Sequence, residues 1–280
     1  MKAVLFDAVA TLIRPWPSVG SVYARAVAMH GVRCPARPLQ ATFGPAYREL
    51  QPLRFFGGSG LQTSDPRERR WWARVVSRTF ERAGCGTPPP AAVAAALEAF
   101  ARGDAWRPCA GAVEALAALK AGGLKLAIVS NYDSRLHRVV EELGLRPFLE
   151  AVVVSSEAGW AKPSPRIYRS ALAALGVAAG EALMVGDRPV EDVAGAAAAG
   201  LRALLYDPRG LAPGPGSIRD LRQVPGRIAA GRFGGNRANG PVDHPPRPPV
   251  PTAPAGARSC AGRGSAGPRR PSAAPRRSRG

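Results

Sequence analysis

The sequence has few of the residues that build metal clusters or disulfide frameworks. Among its 280 residues are four cysteines and three histidines, and no two cysteines form a CxxC pair. This scattered spacing argues against a zinc site and against a disulfide framework, and it fits a reducing compartment. We therefore expect a cytoplasmic protein whose stability comes from its hydrophobic core.

Long hydrophobic runs are also missing. No stretch approaches the ~18 uncharged apolar residues that are needed to cross a bilayer. The first apolar stretch, Ala3 to Ile13, is interrupted by Asp7 and has no small-residue cleavage site, so no signal peptide is expected. The sequence thus predicts a soluble protein with no membrane partner.

Acidic residues are nearly absent from the C-terminal segment 223–280. It holds 11 arginines against one acidic residue, and so carries +10 of the net charge of +19. With 11 prolines, 10 glycines and one aromatic residue, the segment cannot bury enough apolar surface to fold, which predicts a disordered tail. Only this basic tail would attract nucleic acid, which is not an expected partner. The basic charge of the remaining chain can attract phosphorylated small molecules by long-range electrostatic steering, and a small, phosphorylated substrate is expected.

Residues 1–222 alternate short apolar runs with helical periodicity, which is typical of an α/β fold with a parallel sheet. The predicted strands are Ala3–Phe6, Leu124–Val129, Ala151–Val154, Ala182–Val185 and Arg202–Tyr206. The predicted helices between them are Ala112–Ala121, Ser134–Leu143, Ser164–Leu175 and Val190–Ala199.

The interval 15–107 breaks this alternation. It has helical patterns at Val19–His30, Arg69–Arg82 and Ala91–Ala101 but no convincing strand. A structureless loop of that length is uncommon in a compact domain. We therefore predict a Rossmann-like, doubly wound core formed by residues 1–14 and 108–222, with residues 15–107 inserted as a helical cap.

Polar side chains follow four of the predicted strands. In an open parallel sheet, ligands bind outside the carboxyl ends of the strands, so these side chains are expected to share one edge. They are, in chain order, Asp7, Ser130 with Asn131, Lys162, and Asp187 with Asp192. Lys162 is one of only four lysines in an arginine-rich chain.

The order of these segments resembles the haloacid dehalogenase superfamily of hydrolases, in its helical-cap (C1, subfamily IA) type and its dehalogenase-like branch. The matching segments are Phe6-Asp7-Ala8-Val9, Ser130-Asn131-Tyr132-Asp133, Gly159-Trp160-Ala161-Lys162-Pro163, and Gly186-Asp187 followed by Asp192. The resemblance implies that Asp7 is a nucleophile that forms an aspartyl-phosphate.

The resemblance also implies roles for the other residues at the edge. The implied catalytic residues are Asp7, Thr11, Ser130 and Lys162, and the implied substrate-binding residues are Ser130, Asn131 and Lys162. The implied Mg²⁺ ligands are Asp7, the carbonyl of Val9, Asp187 and, directly or through water, Asp192. By contrast, Asp133 and Ser134 are expected to cap a helix. Trp71 and Trp72 are expected to pack in the core of the cap, and the alternative is that they shape a substrate pocket there.

Val9 departs from the phosphatase pattern, which usually reads Asp-x-Asp-x-Thr. The second aspartate of that pattern protonates the leaving alcohol, and losing such a group commonly costs ~10²–10⁴-fold in rate. The sequence predicts a Mg²⁺-dependent phosphatase acting on a small phosphorylated metabolite, because Gly186-Asp187 with Asp192 resembles the metal-binding form of the last segment. Two alternatives stay open: a 2-haloacid dehalogenase-like hydrolase that uses Asp7 without metal, and a non-catalytic binding module with a decayed site.

Overall fold

The computed structural model describes residues 1–51, 60–231 and 233, and its centre is a six-stranded sheet in the order β5-β4-β1-β6-β7-β8. The strands are β1 (Ala3–Phe6), β2 (Ile13–Pro15), β3 (Trp106–Pro108), β4 (Lys125–Ser130), β5 (Ala151–Val154), β6 (Ala182–Gly186), β7 (Arg202–Tyr206) and β8 (Ser217–Ile218). All neighbours in the six-stranded sheet are parallel. The predicted α/β fold is therefore confirmed, and each predicted strand lies within one residue of an observed one.

Both faces of the sheet are covered, which explains why its strands read as continuous apolar runs. Along β1, Val4 and Phe6 point into one core cluster while Ala3 and Leu5 point into another, as the two-residue period of a strand requires. The helices are α1 (Val19–Ala28), α2 (Ala36–Leu50), α3 (Asp65–Arg82), α4 (Pro90–Ala99), α5 (Ala112–Ala121), α6 (Arg135–Glu142), α7 (Ser155–Ala158), α8 (Pro165–Leu175), α9 (Gly195–Ala198) and α10 (Val224–Ala229). Helices α5 and α6 cover the first face, and α8 and α9 cover the second.

Helices α1 to α4 pack around a separate apolar cluster inside the predicted cap. The sequence patterns did not reveal α2, because prolines at 38 and 45 interrupt a stretch that is nevertheless helical. Gly20 allows α1 and α2 to approach closely, since a Cβ atom there would lie 2.2 Å from the carbonyl oxygen of Ala36. The inserted segment thus has its own core.

A short two-stranded sheet lies where the chain leaves and re-enters the core. Strands β2 and β3 pair antiparallel, with Arg14 opposite Arg107. Each strand is three residues long, too short to show the alternation that identifies a strand in sequence. The predicted domain limits at residues 14 and 108 fall within this pair of strands.

The prediction that the cysteines form no disulfide is wrong. Cys34 precedes α2 and Cys85 follows α3, and the two are bonded with their Cα atoms 5.8 Å apart. Because α2 and α3 pack against each other, residues 51 positions apart become neighbours, which spacing along the chain does not reveal. The cysteines therefore no longer support a reducing compartment.

Among the residues that the structure describes, none of the helices combines the length and the apolar character that a membrane span requires.

The first residues of the segment that was predicted to be disordered are folded. Helix α10 occupies the start of the segment that was expected to be disordered, and its Val224 is buried in the main core together with Leu221. These apolar residues give the start of the segment a buried face that its arginine- and proline-rich composition obscures. The prediction for residues 234–280 concerns a part of the chain outside the described residues.

Candidate active site

Asp7 follows β1 at the centre of the sheet, between the ends of β4 and β6. Its main-chain N–H donates to the carbonyl of Val185 at 2.9 Å, and its side chain lies at the carboxyl edge of the sheet with the residue only 6% exposed. The chain then turns sharply, with both Leu12 and Ile13 donating to the carbonyl of Ala8. Ala10 takes up a left-handed conformation in this turn, at a φ of 70°.

Lys162 and Ser130 converge on one oxygen of Asp7. The Lys162 ammonium donates to Asp7 Oδ1 at 2.7 Å, and the Ser130 hydroxyl donates to the same oxygen at 3.2 Å. The ammonium also donates to Asp192 Oδ1 at 2.6 Å. Burial disfavours the charge of Lys162, but attraction by Asp192 and Asp7 outweighs burial and raises its pKa above the usual range. The lysine therefore stays charged inside the site.

Asn131 holds the loop that carries Lys162. Its side-chain carbonyl accepts from the Lys162 main-chain N–H at 2.6 Å, and its amide donates to the Lys162 carbonyl at 3.0 Å. The side chain of Asn131 thus positions the lysine, while substrate binding through its main-chain N–H stays a prediction. This positioning contact was not expected from the sequence, because the two residues lie on separate loops.

Three carboxylates meet beside the lysine. Asp7, Asp187 and Asp192 each bring one oxygen within 4.8 Å of the others, a spacing that a metal ion can bridge. Gly186 makes this approach possible, because a Cβ atom there would lie 2.2 Å from Asp192 Oδ2. Burial raises the pKa of Asp187 well above its usual range, and repulsion by Asp7 and Asp192 adds to the shift. A divalent cation would relieve this repulsion, so these residues fit a metal site.

Asp192 is fully buried, and both of its oxygens are engaged. Oδ1 accepts from Lys162, and Oδ2 accepts from the main-chain N–H of Arg188 at 2.9 Å. Burial raises the pKa of Asp192, and the neighbouring Lys162 opposes that shift. The carboxylate therefore ties the lysine to the loop that follows β6.

Val9 and Thr11, the remaining predicted residues, lie in different environments. Val9 lines the cavity above Asp7, whereas Thr11 is fully buried outside it. Within the described part of the chain, the Thr11 hydroxyl has no hydrogen-bond partner. Its catalytic role stays a prediction that no contact in this structure supports.

A cavity of about 510 Å³ connects this polar cluster to the cap. Asp7, Ser130, Lys162 and Asp187 line one end of the cavity, and aromatic side chains of the cap line the other. Trp71 is buried, as expected, with its indole N–H donating to the carbonyl of Leu50 at 2.8 Å. Trp72 instead lines the cavity together with Tyr47 of α2, a helix that the sequence patterns did not reveal. The volume and the apolar lining suit a small organic ligand.

Two sets of contacts join the cap to the loops of the site. The main chain of Leu61 and Thr63 pairs with Ala161 and Gly159, at 2.8 Å and 3.1 Å. These two core residues lie on either side of Trp160, directly before Lys162.

Asp65, at the start of α3, makes the second cap contact. Its carboxylate accepts from the main-chain N–H and the hydroxyl of Ser134. Asp133 accepts from the main-chain N–H of Arg135, as expected for a residue at a helix start, and also forms a buried ion pair with its guanidinium. Ser134 therefore contacts the cap rather than capping α6 with its hydroxyl.

Comparison with known proteins gives consistent matches. A family model described as haloacid dehalogenase-like hydrolase matches residues 1–200. The haloacid dehalogenase-like hydrolase domain-containing protein 3 of Bos taurus is 34% identical over 209 residues, which are 73% of this chain and 81% of the relative. The phosphoserine phosphatase of Thermus thermophilus is 44% identical over 154 residues, which are 53% of this chain and 59% of that enzyme.

A solved structure gives the same fold. The HAD-hydrolase YfnB of Bacillus subtilis, bound to magnesium, aligns with a TM-score of 0.67 at 17% identity. The alignment covers 81% of this chain and 98% of YfnB. The core and the inserted helices are therefore found together in another protein.

Proposed function

Because the chain belongs to the haloacid dehalogenase-like hydrolase family, we propose that it is a Mg²⁺-dependent phosphatase whose nucleophile is Asp7. The observation that carries this proposal is the contact of Lys162 with both Asp7 and Asp192, beside Asp187 and at the end of a cavity. A nucleophile, a fixed positive charge and a cluster of carboxylates are the groups that phosphoryl transfer requires. The similarity to a phosphoserine phosphatase supports phosphoryl transfer as the reaction.

In the proposed first step, an oxygen of Asp7 attacks phosphorus and the bond from phosphorus to the leaving oxygen breaks. The products of this step are an aspartyl-phosphate and the leaving group, which departs as its oxyanion or takes a proton from its own structure or from solvent. In the second step water attacks phosphorus, which releases inorganic phosphate and restores the carboxylate. Lys162 offsets the negative charge throughout.

The proposed metal ligands are Asp7, the carbonyl of Val9 and Asp187. We assign Asp192 a contact through water, because both of its oxygens already accept hydrogen bonds. When bound, Mg²⁺ would neutralise charge on the phosphoryl oxygens. The protein residues contribute the nucleophile, the fixed ammonium and the orientation of the substrate.

Val9 gives the proposed enzyme an unusual proton-transfer step, because valine cannot protonate a leaving alcohol. We therefore propose that it acts on phosphate esters whose leaving group needs no added proton or supplies one itself. The rate of such an enzyme depends steeply on the pKa of the leaving group. Aryl phosphates are accordingly the substrates of choice for a first assay.

The decisive experiment compares phosphate release from 4-nitrophenyl phosphate by the wild type, Asp7→Asn and the control variant Asp104→Asn, in Mg²⁺ and in EDTA. Asp104 is exposed and does not line the cavity, so its variant tests the substitution outside the site. We expect the Asp7→Asn activity to be lost and the control activity to be kept. Full turnover by Asp7→Asn would overturn the proposal.

The same protein samples test the two alternatives. Release of chloride from 2-chloropropionate in excess EDTA would support a metal-independent dehalogenase. Any Mg²⁺-dependent turnover, or trapping of an Asp7 fluoroberyllate adduct, would exclude a non-catalytic binding module. The nucleophile is shared by both enzymatic readings, so the dependence on metal and the leaving group distinguish them.

A further inference from the structure

Arg188 presents a cation to the cavity that nothing in the described part of the chain neutralises by direct contact. Its main-chain N–H binds Asp192, but its guanidinium makes no hydrogen bond or ion pair there. The side chain is half-buried and lines the cavity. A partly buried guanidinium with its donors unused costs free energy, and this cost is removed when an anion binds.

The guanidinium lies between the catalytic end of the cavity and the cap. Burial disfavours its charge, but the carboxylates of Asp187, Glu191 and Asp192 attract it and hold its pKa above the usual range, and the Tyr47 side chain lies close enough to add to this shift when it is ionised. Tyr47 belongs to α2 in the cap, and Asp187 belongs to the carboxylate cluster. Arg188 is thus placed beside the path that a leaving group would take from phosphorus towards the cap.

The carboxylate cluster does not need this arginine for its charge balance. Three carboxylates and the ammonium of Lys162 leave two negative charges, which one divalent cation offsets. Glu191 also lines the cavity and attracts Arg188, but within the described residues it forms no hydrogen bond or ion pair with the guanidinium, whose donors are therefore available to a ligand. Arginine also suits this task, because its planar guanidinium binds a carboxylate through two parallel hydrogen bonds.

The wall beyond Arg188 is apolar and aromatic. Tyr47 and Trp72 face each other there with ring centroids 6.0 Å apart. Such a wall favours an organic body with few polar groups.

We propose that Arg188 determines specificity by selecting phosphate monoesters whose leaving group joins an apolar or aromatic body to a second anionic group, such as a carboxylate. The inference rests on the proposed function, because it assumes that the phosphoryl group occupies the Asp7 end of the cavity. Arg188 binds the second anion, and the aromatic wall contacts the body of the leaving group.

The test compares two matched substrates, 4-(carboxymethyl)phenyl phosphate and 4-ethylphenyl phosphate. A methylene group separates the carboxylate from the ring, so the two leaving phenols have similar acidity. We expect the wild type to prefer the carboxylated ester by roughly 10- to 100-fold in kcat/KM, as for one charged hydrogen-bonding contact. Arg188→Gln should remove most of this preference by raising KM. The control Arg78→Gln, on the outer surface of the cap, should keep it.

A binding measurement makes the test independent of turnover. Calorimetry with the full-length wild type should show 4-hydroxyphenylacetate binding more tightly than 4-ethylphenol, and Arg188→Gln should lose this difference. Equal kcat/KM values for the two esters in the wild type would overturn the inference while leaving the phosphatase proposal intact. An equal loss for both esters in Arg188→Gln would also overturn it, because the arginine would then act on the phosphoryl group. If neither ester releases phosphate, the proposed function fails and calorimetry alone decides the role of Arg188.

Discussion

Replacing Val9 by aspartate should supply the proton-transfer group that this site lacks. The valine side chain lines the same cavity as Asp7 and lies two residues beyond it. Aspartate is close to valine in size, so the substitution is expected to fit without displacing the turn. The new carboxyl group would be able to protonate the oxygen that leaves phosphorus.

The electrostatic environment of the site should raise the pKa of the new carboxyl group. Asp187 in the same cavity has its pKa raised by burial and by repulsion from Asp7 and Asp192. A carboxyl group introduced at position 9 would meet the same repulsion and hold its proton near neutral pH, as a general acid must. The expected gain is ~10²–10⁴-fold for leaving groups that need a proton, which is ~3–5 kcal/mol in activation free energy.

The assay measures kcat/KM for an alkyl ester, 2-phenylethyl phosphate, and for 4-nitrophenyl phosphate, whose leaving group needs no proton, because kcat/KM excludes the second step that both substrates share. Val9→Asp should raise the ratio of the alkyl to the nitrophenyl kcat/KM by the factor given above. Val9→Asn is the matched control, because it has nearly the same shape and polarity but no transferable acid proton. The reasoning is refuted if Val9→Asp leaves the ratio unchanged, or if Val9→Asn raises it equally.

Three further predictions concern stability, and each is measured by thermal or urea unfolding. Since the pKa of Asp187 is raised in the fold, the folded state binds a proton that the unfolded state releases, and metal-free stability should fall as the pH rises above the usual range of aspartate. Asp187→Asn should therefore raise the unfolding midpoint in EDTA at pH 8. It should also abolish the increase of about 2.7 kcal/mol in the free energy of unfolding that Mg²⁺ at a hundred times its Kd is expected to give the wild type. A lower midpoint of the variant in EDTA would contradict this prediction. Ala10→Gly should stabilise the protein by ~1 kcal/mol, because glycine adopts the left-handed conformation without the steric cost of a Cβ atom. A loss of stability would show that the packing of the alanine methyl group stabilises the protein by more than this cost. Cys85→Ser should destabilise it by about 4 kcal/mol, because the bond to Cys34 closes a loop across 51 positions; dithiothreitol should have the same effect on the wild type and none on the variant.

The core of the fold is predictable because its signals are local. Each buried strand is a short apolar run, and the polar residues that follow the strands necessarily share one edge of a parallel sheet. The positions of Asp7, Lys162 and Asp187 after predicted strands therefore predict that their side chains lie close together, as they do in the structure. Strands β2 and β3 could not be found this way, because three residues carry too little pattern.

Contacts between segments that are distant along the chain could not be predicted from the sequence. Helix α2 contains prolines that normally end helices, and its existence depends on packing against α1 and α3. The bond between Cys34 and Cys85 follows from that packing. The exposure of Arg188 to the cavity likewise depends on the position of the cap. Its place directly after Asp187 indicates only that it lies near the edge of the sheet.

The pairing of Leu61 and Thr63 with the loop before Lys162 connects the cap to the residue whose ammonium contacts Asp7. Gly159 and Ala161, which accept and donate the two hydrogen bonds, lie just before Lys162 in the chain. The position of the ammonium beside Asp7 therefore depends on contacts from the inserted segment as well as on the sheet.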